Sequence, residues 1–342
     1  MNQGPDRAGR ELSVALQSDE DLASYARLAP RIEELGFGTI SVYGDLLYPS
    51  PLLPLLEIAR ATRRVRLGPA CLNPYLLHPV EIASQLHMLD TVSGGRAYLG
   101  LARGAWLDAV GVSQDRPVRR LRETVDVVRY LFAGRDDGYQ GEIFQVAAGA
   151  RLVRPPAREQ VDLLLGAWGP LGLALAGELA AEVKIGGSAN PALLPAARES
   201  LARGAARAGR DPGQVGLVCG AVTVVDEDGA SARRRARAEV ATYLPVVAAL
   251  DPAAGLDTVG LDTGGLDEMQ RLVRAGDHEA AGRLVPDAVL HRFAFAGTPD
   301  QVAAQAAELF EAGATRVEFG TPHGLTPEHG LELLGRRVRA AL

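Results

Sequence analysis

Residues 67–104 read LGPACLNPYLLHPVEIASQLHMLDTVSGGRAYLGLARG, and their order decides the architecture. The apolar run RLGPACLN (66–73) gives way to HPVEIASQLHMLDTVSGG, an amphipathic stretch whose Gly-Gly end is a helix stop. RAYLGLAR (96–103) is strand-like again. Two strands joined by a helix of this length run parallel, because a crossover returns the chain to the same end of the sheet.

The same alternation extends in both directions. Strand-like runs are ELSVALQS (11–18), GTISVYGD (38–45), RLGPACLN (66–73), RAYLGLAR (96–103), VDLLLGAW (161–168), EVKIGG (182–187), GLVCGAVTVV (216–225) and TRVEFGT (315–321), with helical stretches between them. Eight right-handed βα units close into a (β/α)8 TIM barrel of the α/β class, in one domain spanning 1–342. The competing open, doubly wound sheet lacks its usual GxGxxG after the first strand. Two segments exceed the repeat. Residues 133–161 read as a loop with a small hairpin inserted after the fourth strand unit, and 249–290, Gly- and Asp-rich around DEMQRLVRAG, as a candidate lid between the seventh and eighth strands. A surface insertion without gating is the other reading of the second.

Composition narrows the function. Apolar residues make up 47% of the 342 and charged ones 23%, as a sizeable buried core requires, and the formal net charge of −6 is spread along the chain. No basic footprint for nucleic acid is present. No apolar run approaches a membrane span, and MNQGPDRAGR lacks a signal-peptide layout, so a cytoplasmic protein is expected. The two cysteines, Cys71 and Cys219, show no CxxC or Cys/His spacing, and no metal site is expected.

Residues at the C-terminal ends of barrel strands meet ligands. Those ends here carry Tyr43, Gly44 and Asp45, the run from Pro69 to Pro74, Arg103 and Gly104, Trp168 to Leu171, Gly186 to Ser188, and Thr321 to Gly324. Ala167-Trp168-Gly169-Pro170 passes from strand into helix, where amides without helical partners and the helix dipole favour an anion, and Arg103 adds a fork of donors. Asp45 reads either as a group that binds a ring edge or moves a proton, or as a turn residue. His78 before Pro79 reads as structural and His323 in GTPHG as an exposed loop-tip residue. No Ser/His/Asp or Cys/His set supports nucleophilic hydrolysis.

Residues 67–104, with GAWGPLGLALAGELAAEVKIGG (166–187) and AGTPDQVAAQAAELFEAGATRVEFGTPHGLTPEHGLELLG (296–335), resemble the luciferase-like monooxygenase superfamily. Within it they are most similar to the methylenetetrahydromethanopterin reductase group, which uses the deazaflavin coenzyme F-420. The resemblance implies a non-proline cis peptide at Ala70-Cys71 behind the cofactor ring, and Asp45 and Asn73 near the ring and side chain. It implies Arg103, Gly104 and the turn Ala167 to Pro170 at the phosphate end, with Asp108 also among the cofactor-binding residues. It further implies hydride transfer with a small organic substrate, with Asp45 as a proton relay, in a homodimer. Leu46 and Ala105 depart from the sugar-phosphate dehydrogenase branch, which has a catalytic His and acid there. An FMN-dependent, oxygen-using monooxygenase and a non-catalytic flavin- or deazaflavin-binding barrel stay open as alternatives.

Overall fold

The computed structural model describes residues 9–250, 261 and 263–342. The chain alternates β1 (Glu11–Leu16), α1 (Leu22–Glu34), β2 (Thr39–Val42), α2 (Leu52–Ala61), β3 (Arg66–Pro69), α3 (Pro79–Ser93), β4 (Leu99–Leu101) and α4 (Pro117–Phe132). A two-stranded antiparallel hairpin, β5 (Tyr139–Gln140) and β6 (Gln145–Val146), follows within the expected insertion. The second half runs β7 (Leu163–Gly166), α5 (Pro170–Leu179), β8 (Glu182–Gly186), α6 (Leu194–Arg207), β9 (Gly216–Val225) and α7 (Gly229–Leu250). It continues through α8 (Thr263–Arg274), α9 (His278–Arg283), α10 (Asp287–Phe293), β10 (Ala294–Gly297), α11 (Pro299–Glu311), β11 (Arg316–Gly324) and α12 (Pro327–Leu333).

The parallel strands are ordered β3-β2-β1-β11-β9-β8-β7-β4. Leu72 N–H donates to Gly100 O at 2.9 Å and Tyr98 N–H to Leu67 O at 3.0 Å, which returns β4 to β3 and closes the barrel. All eight expected strands form it. The helix ends obey local chemistry: His78 Nδ1 accepts from Val80 N–H to start α3, and Gly94, at φ 66°, stops it. His78 is thus the structural residue expected. Thr298 and Gln301 close a reciprocal capping box on α11.

Two expectations are revised. β10 pairs with the upper part of β9 and was not anticipated, because AFAG follows HRF without a break and so short an apolar run has no period of its own. The region around DEMQRLVRAG holds α8, α9 and α10 rather than one short helix. Of the candidate lid 249–290, residues 251–260 and 262 lie outside the described residues, as do 1–8 of the N-terminus. Among the described residues no helix is long and apolar enough to cross a membrane.

The lower barrel interior is charged rather than filled with the branched aliphatic layers common to this architecture. Arg316 Nε and Nη2 donate to the two oxygens of Glu182, each at 3.0 Å, and Arg66 reaches Glu182 at 3.4 Å. Glu318, fully buried, accepts from Lys184 Nζ and from Ser41 Oγ, the latter at 2.5 Å, and Tyr98 Oη donates to Ser41 Oγ at 2.8 Å. These residues come from β2, β3, β8 and β11 and the approach to β4, so they meet on the barrel axis. Burial disfavours the Glu318 carboxylate, but Lys184 and Arg316 outweigh it and hold its pKa below the usual carboxylate range.

Candidate active site

Above the charged column the barrel opens into a cavity of about 560 Å³ at the C-terminal strand ends. The strand sequence sets each wall. β3 contributes Ala70 and Cys71, whose peptide bond is cis, as the resemblance implied, and Asn73 follows. Gly44 and Gly166 let neighbouring backbones close in behind this floor. A Cβ on Gly44 would lie 2.4 Å from Cys71 O, and one on Gly166 3.1 Å from Ala102 Cβ. The floor is therefore built of small, largely apolar groups.

β7 and β4 end beside it. Gly169 is the N-cap of α5 and supplies no side-chain cap, so amides of the first turn keep their donor capacity at the cavity edge. Arg103 and Gly104 follow β4, with Gly104 at φ 82° and its α-carbon close against Asn73, a position only glycine holds without strain. Exposed guanidinium and uncapped helix end together make a cationic corner.

On the other side of the floor, Asp45 follows β2. Its Oδ2 accepts from Gln17 Nε2 at 2.9 Å. Burial raises its pKa, while the Gln17 bond and the Lys184 charge pull the other way. Lys184 Nζ sits 5.0 Å from the centroid of the half-buried Tyr43 ring, whose pKa desolvation raises. Burial pushes the Cys71 thiol up to about 12, so it is a neutral, inert wall group.

Asp45, Ala70, Cys71, Asn73, Arg103, Gly104, Ala167, Trp168, Gly169 and Pro170 all line this one cavity. Asp108 does not. It is exposed in the 3-10 turn Leu107–Val110, away from the wall. Asn73 also has a local task, since its Oδ1 accepts from the amides of Tyr75 and Leu76. His323 is a correction: it is 1% exposed, follows a cis Thr321-Pro322 bond at φ 72°, and its Nε2–H donates to Ala15 O at 3.1 Å. A histidine beside Pro and Gly reads as a loop tip, but β11 runs on through Gly324 and carries it into the barrel.

Sequence reasoning missed Lys184, because one charge in the apolar run EVKIGG gives no sign of a partner 134 positions away. It also missed the wall formed by Val240, Tyr243, Leu244 and Val247 of α7 and Phe293 of α10. The 3-1-3 spacing of the α7 four was the available signal of one helix face. Among the described residues, Asp226, Glu227 and His329 bring potential metal ligands within 4.8 Å of one another, but His329 Nε2 lies 2.8 Å from Glu227 Oε2 as an exposed ion pair.

The description "luciferase-like monooxygenase" is that of a family model matching residues 7–316. The chain is 32% identical over 324 residues to a 5,10-methylenetetrahydromethanopterin reductase of Archaeoglobus fulgidus, covering 93% of this chain and 94% of the relative. It is 31% identical to the reductase of that name from Methanolobus tindarius, covering 93% and 95%. Among solved structures, the coenzyme F-420-dependent tetrahydromethanopterin reductase of Methanopyrus kandleri superposes with a TM-score of 0.88 at 26% identity, covering 97% of this chain and 99% of that one. The barrel, its small-residue floor and these matches over nearly the full length lead to one assignment: the chain belongs to the luciferase-like monooxygenase family.

Proposed function

We propose that the chain is a coenzyme F-420-dependent oxidoreductase that moves hydride between the deazaflavin and a small organic substrate. One observation carries the reading: a floor of small residues at Ala70-Cys71 lies between a cationic corner and the half-buried carboxylate of Asp45, all on adjacent strand ends of one cavity. The residues fit the cofactor. Small side chains at Ala70, Cys71 and Ala102 and the bare backbone of Gly166 accept a planar ring, and the uncapped α5 start with Arg103 accepts its phosphate end. The relatives named for this cofactor add the same reading.

The bound deazaflavin supplies the hydride donor or acceptor at its carbon 5. The chain's own residues supply orientation and exclude water: the floor fixes the ring plane, the corner fixes the tail, and Trp168, Leu121 and Val118 narrow the mouth. Asp45 is the proton relay in this reading, because it lines the cavity beside the floor and desolvation raises its carboxyl pKa. The protein works in the cytoplasm as a homodimer, and exposed Leu53 and Met88 on the neighbouring helices α2 and α3 supply apolar surface for self-association.

Titration of the apo-protein with F-420 and with FMN, followed by ligand fluorescence, tests this. Tight F-420 binding with FMN much weaker is the expected result. The reverse order moves the chain to an oxygen-using flavin chemistry, and binding of neither removes the cofactor assignment.

A further inference from the structure

The strand order gives the cavity a direction. Counted either way around the barrel, β9 stands four strands from β3, so the two are diametrically opposed. The cofactor floor belongs to β3, while α7 leaves the end of β9 and turns Val240, Tyr243, Leu244 and Val247 into the cavity, with Phe293 of α10 beside them. Four of these five are aliphatic or phenyl groups. Only Tyr243 carries a polar atom, and its charge neighbours include Asp45.

Charged lining residues are few. Among the described residues they are Asp45, Arg103 and Lys184. Arg103 belongs to the corner beside α5, and Lys184 is bound by the buried Glu318. Among the described residues the α7 side therefore brings no cation to the cavity to meet an anion, and a carboxylate or phosphate there would lose its hydration without compensation.

We infer that the space between the floor and the α7 wall is a substrate compartment for an uncharged, mainly apolar molecule that turns one hydrogen-bond-accepting group toward Tyr243. This rests on the proposed function for the identity of what covers the floor, but the compartment itself is a property of β9, α7 and α10. Val240, Leu244, Val247 and Phe293 set the apolar body, and Tyr243 sets the polar end.

The test uses three ring compounds of similar body: cyclohexanone, cyclohexanecarboxylate and methylcyclohexane. Their affinities are read by saturation-transfer NMR on the protein with and without F-420. Cyclohexanone is expected to bind at least about tenfold more tightly than the carboxylate, the equivalent of one unpaired desolvated charge at minimum. Leu244→Glu should weaken cyclohexanone by more than about tenfold, while F-420 affinity stays within about threefold of the unaltered protein. Tyr243→Phe, which keeps the fold and the ring, should weaken cyclohexanone and leave methylcyclohexane unchanged. Carboxylate binding equal to or tighter than ketone binding overturns the inference, as does a Tyr243→Phe protein that binds both neutral probes as before. If F-420 fails to bind while the ketone retains this pattern, the cofactor reading falls and the compartment stands.

Discussion

Arg316, 1% exposed, is clamped between Glu182 and Glu318 at the bottom of the barrel, whereas Asp45 at the mouth has one neutral amide as its hydrogen-bond partner and a lysine already engaged elsewhere. Both regions bury charge, but the column pairs every carboxylate with a cation and the mouth leaves its carboxylate poorly compensated. The shifts follow: Glu318 and Glu182 are held below the usual carboxylate range, and Asp45 is raised. The column is built to stay ionised and rigid. The mouth lines a cavity and leaves its carboxylate with a raised pKa, a contrast in keeping with the different tasks of the two ends of such a barrel.

The largest break in this contrast comes from removing a column carboxylate. Glu318→Gln leaves Lys184 and Arg316 facing each other without it, and should cost about 3–5 kcal/mol in a denaturant titration. Adding Lys184→Met to Glu318→Gln should recover part of that loss, since the second change removes the stranded charge. An unchanged unfolding midpoint in the single variant would show that the column contributes nothing as an ion network.

A smaller effect is expected at His323, buried near the C-terminal end of β11. Burial lowers its pKa from 6.5 to about 4, partly opposed by its backbone hydrogen bonds to Ala15 and Phe319. The unfolded chain takes up a proton below pH 6.5 that the folded chain refuses until about pH 4, so stability falls as pH falls through that window. The full loss is on the order of 3 kcal/mol. His323→Asn tolerates the positive φ and should flatten the acid limb of a stability-against-pH curve. A limb that keeps its slope assigns the proton uptake to another group.

The smallest effect has the opposite sign and sharpens the comparison most. Because the folded-state pKa of Asp45 is raised by burial, the ionised carboxylate costs stability above that pKa, and the cost disappears as the group protonates at lower pH. Asp45→Asn should therefore raise the melting temperature slightly at neutral pH and lose its advantage in acid. A lower melting temperature at neutral pH would mean that Asp45 is a structural partner like Glu318.

The corner was legible in the sequence because it is local: Gly169-Pro170 before an apolar helix carries its geometry within a few residues of backbone. The floor at Ala70-Cys71, with its cis bond, was reached only through the family resemblance of residues 67–104. The (β/α)8 order was legible for a related reason, since each strand and helix signals its own period and the crossover rule leaves few ways to assemble them. What the sequence by itself determined was thus the order of elements and the strand ends that line the cavity.

Only the tertiary structure decided which charges pair and which walls oppose. Lys184 meets Glu318, and Tyr243 comes near Asp45, across separations that no local pattern encodes. His323 is buried because the barrel closes around it, not because its neighbours are apolar. Position in the ring of strands sets β9 opposite β3, and that relation exists only once the eighth strand returns to the first. The physical reason is common to all three: backbone propensity is fixed by neighbours in the chain, whereas burial, pairing and pKa depend on neighbours in space.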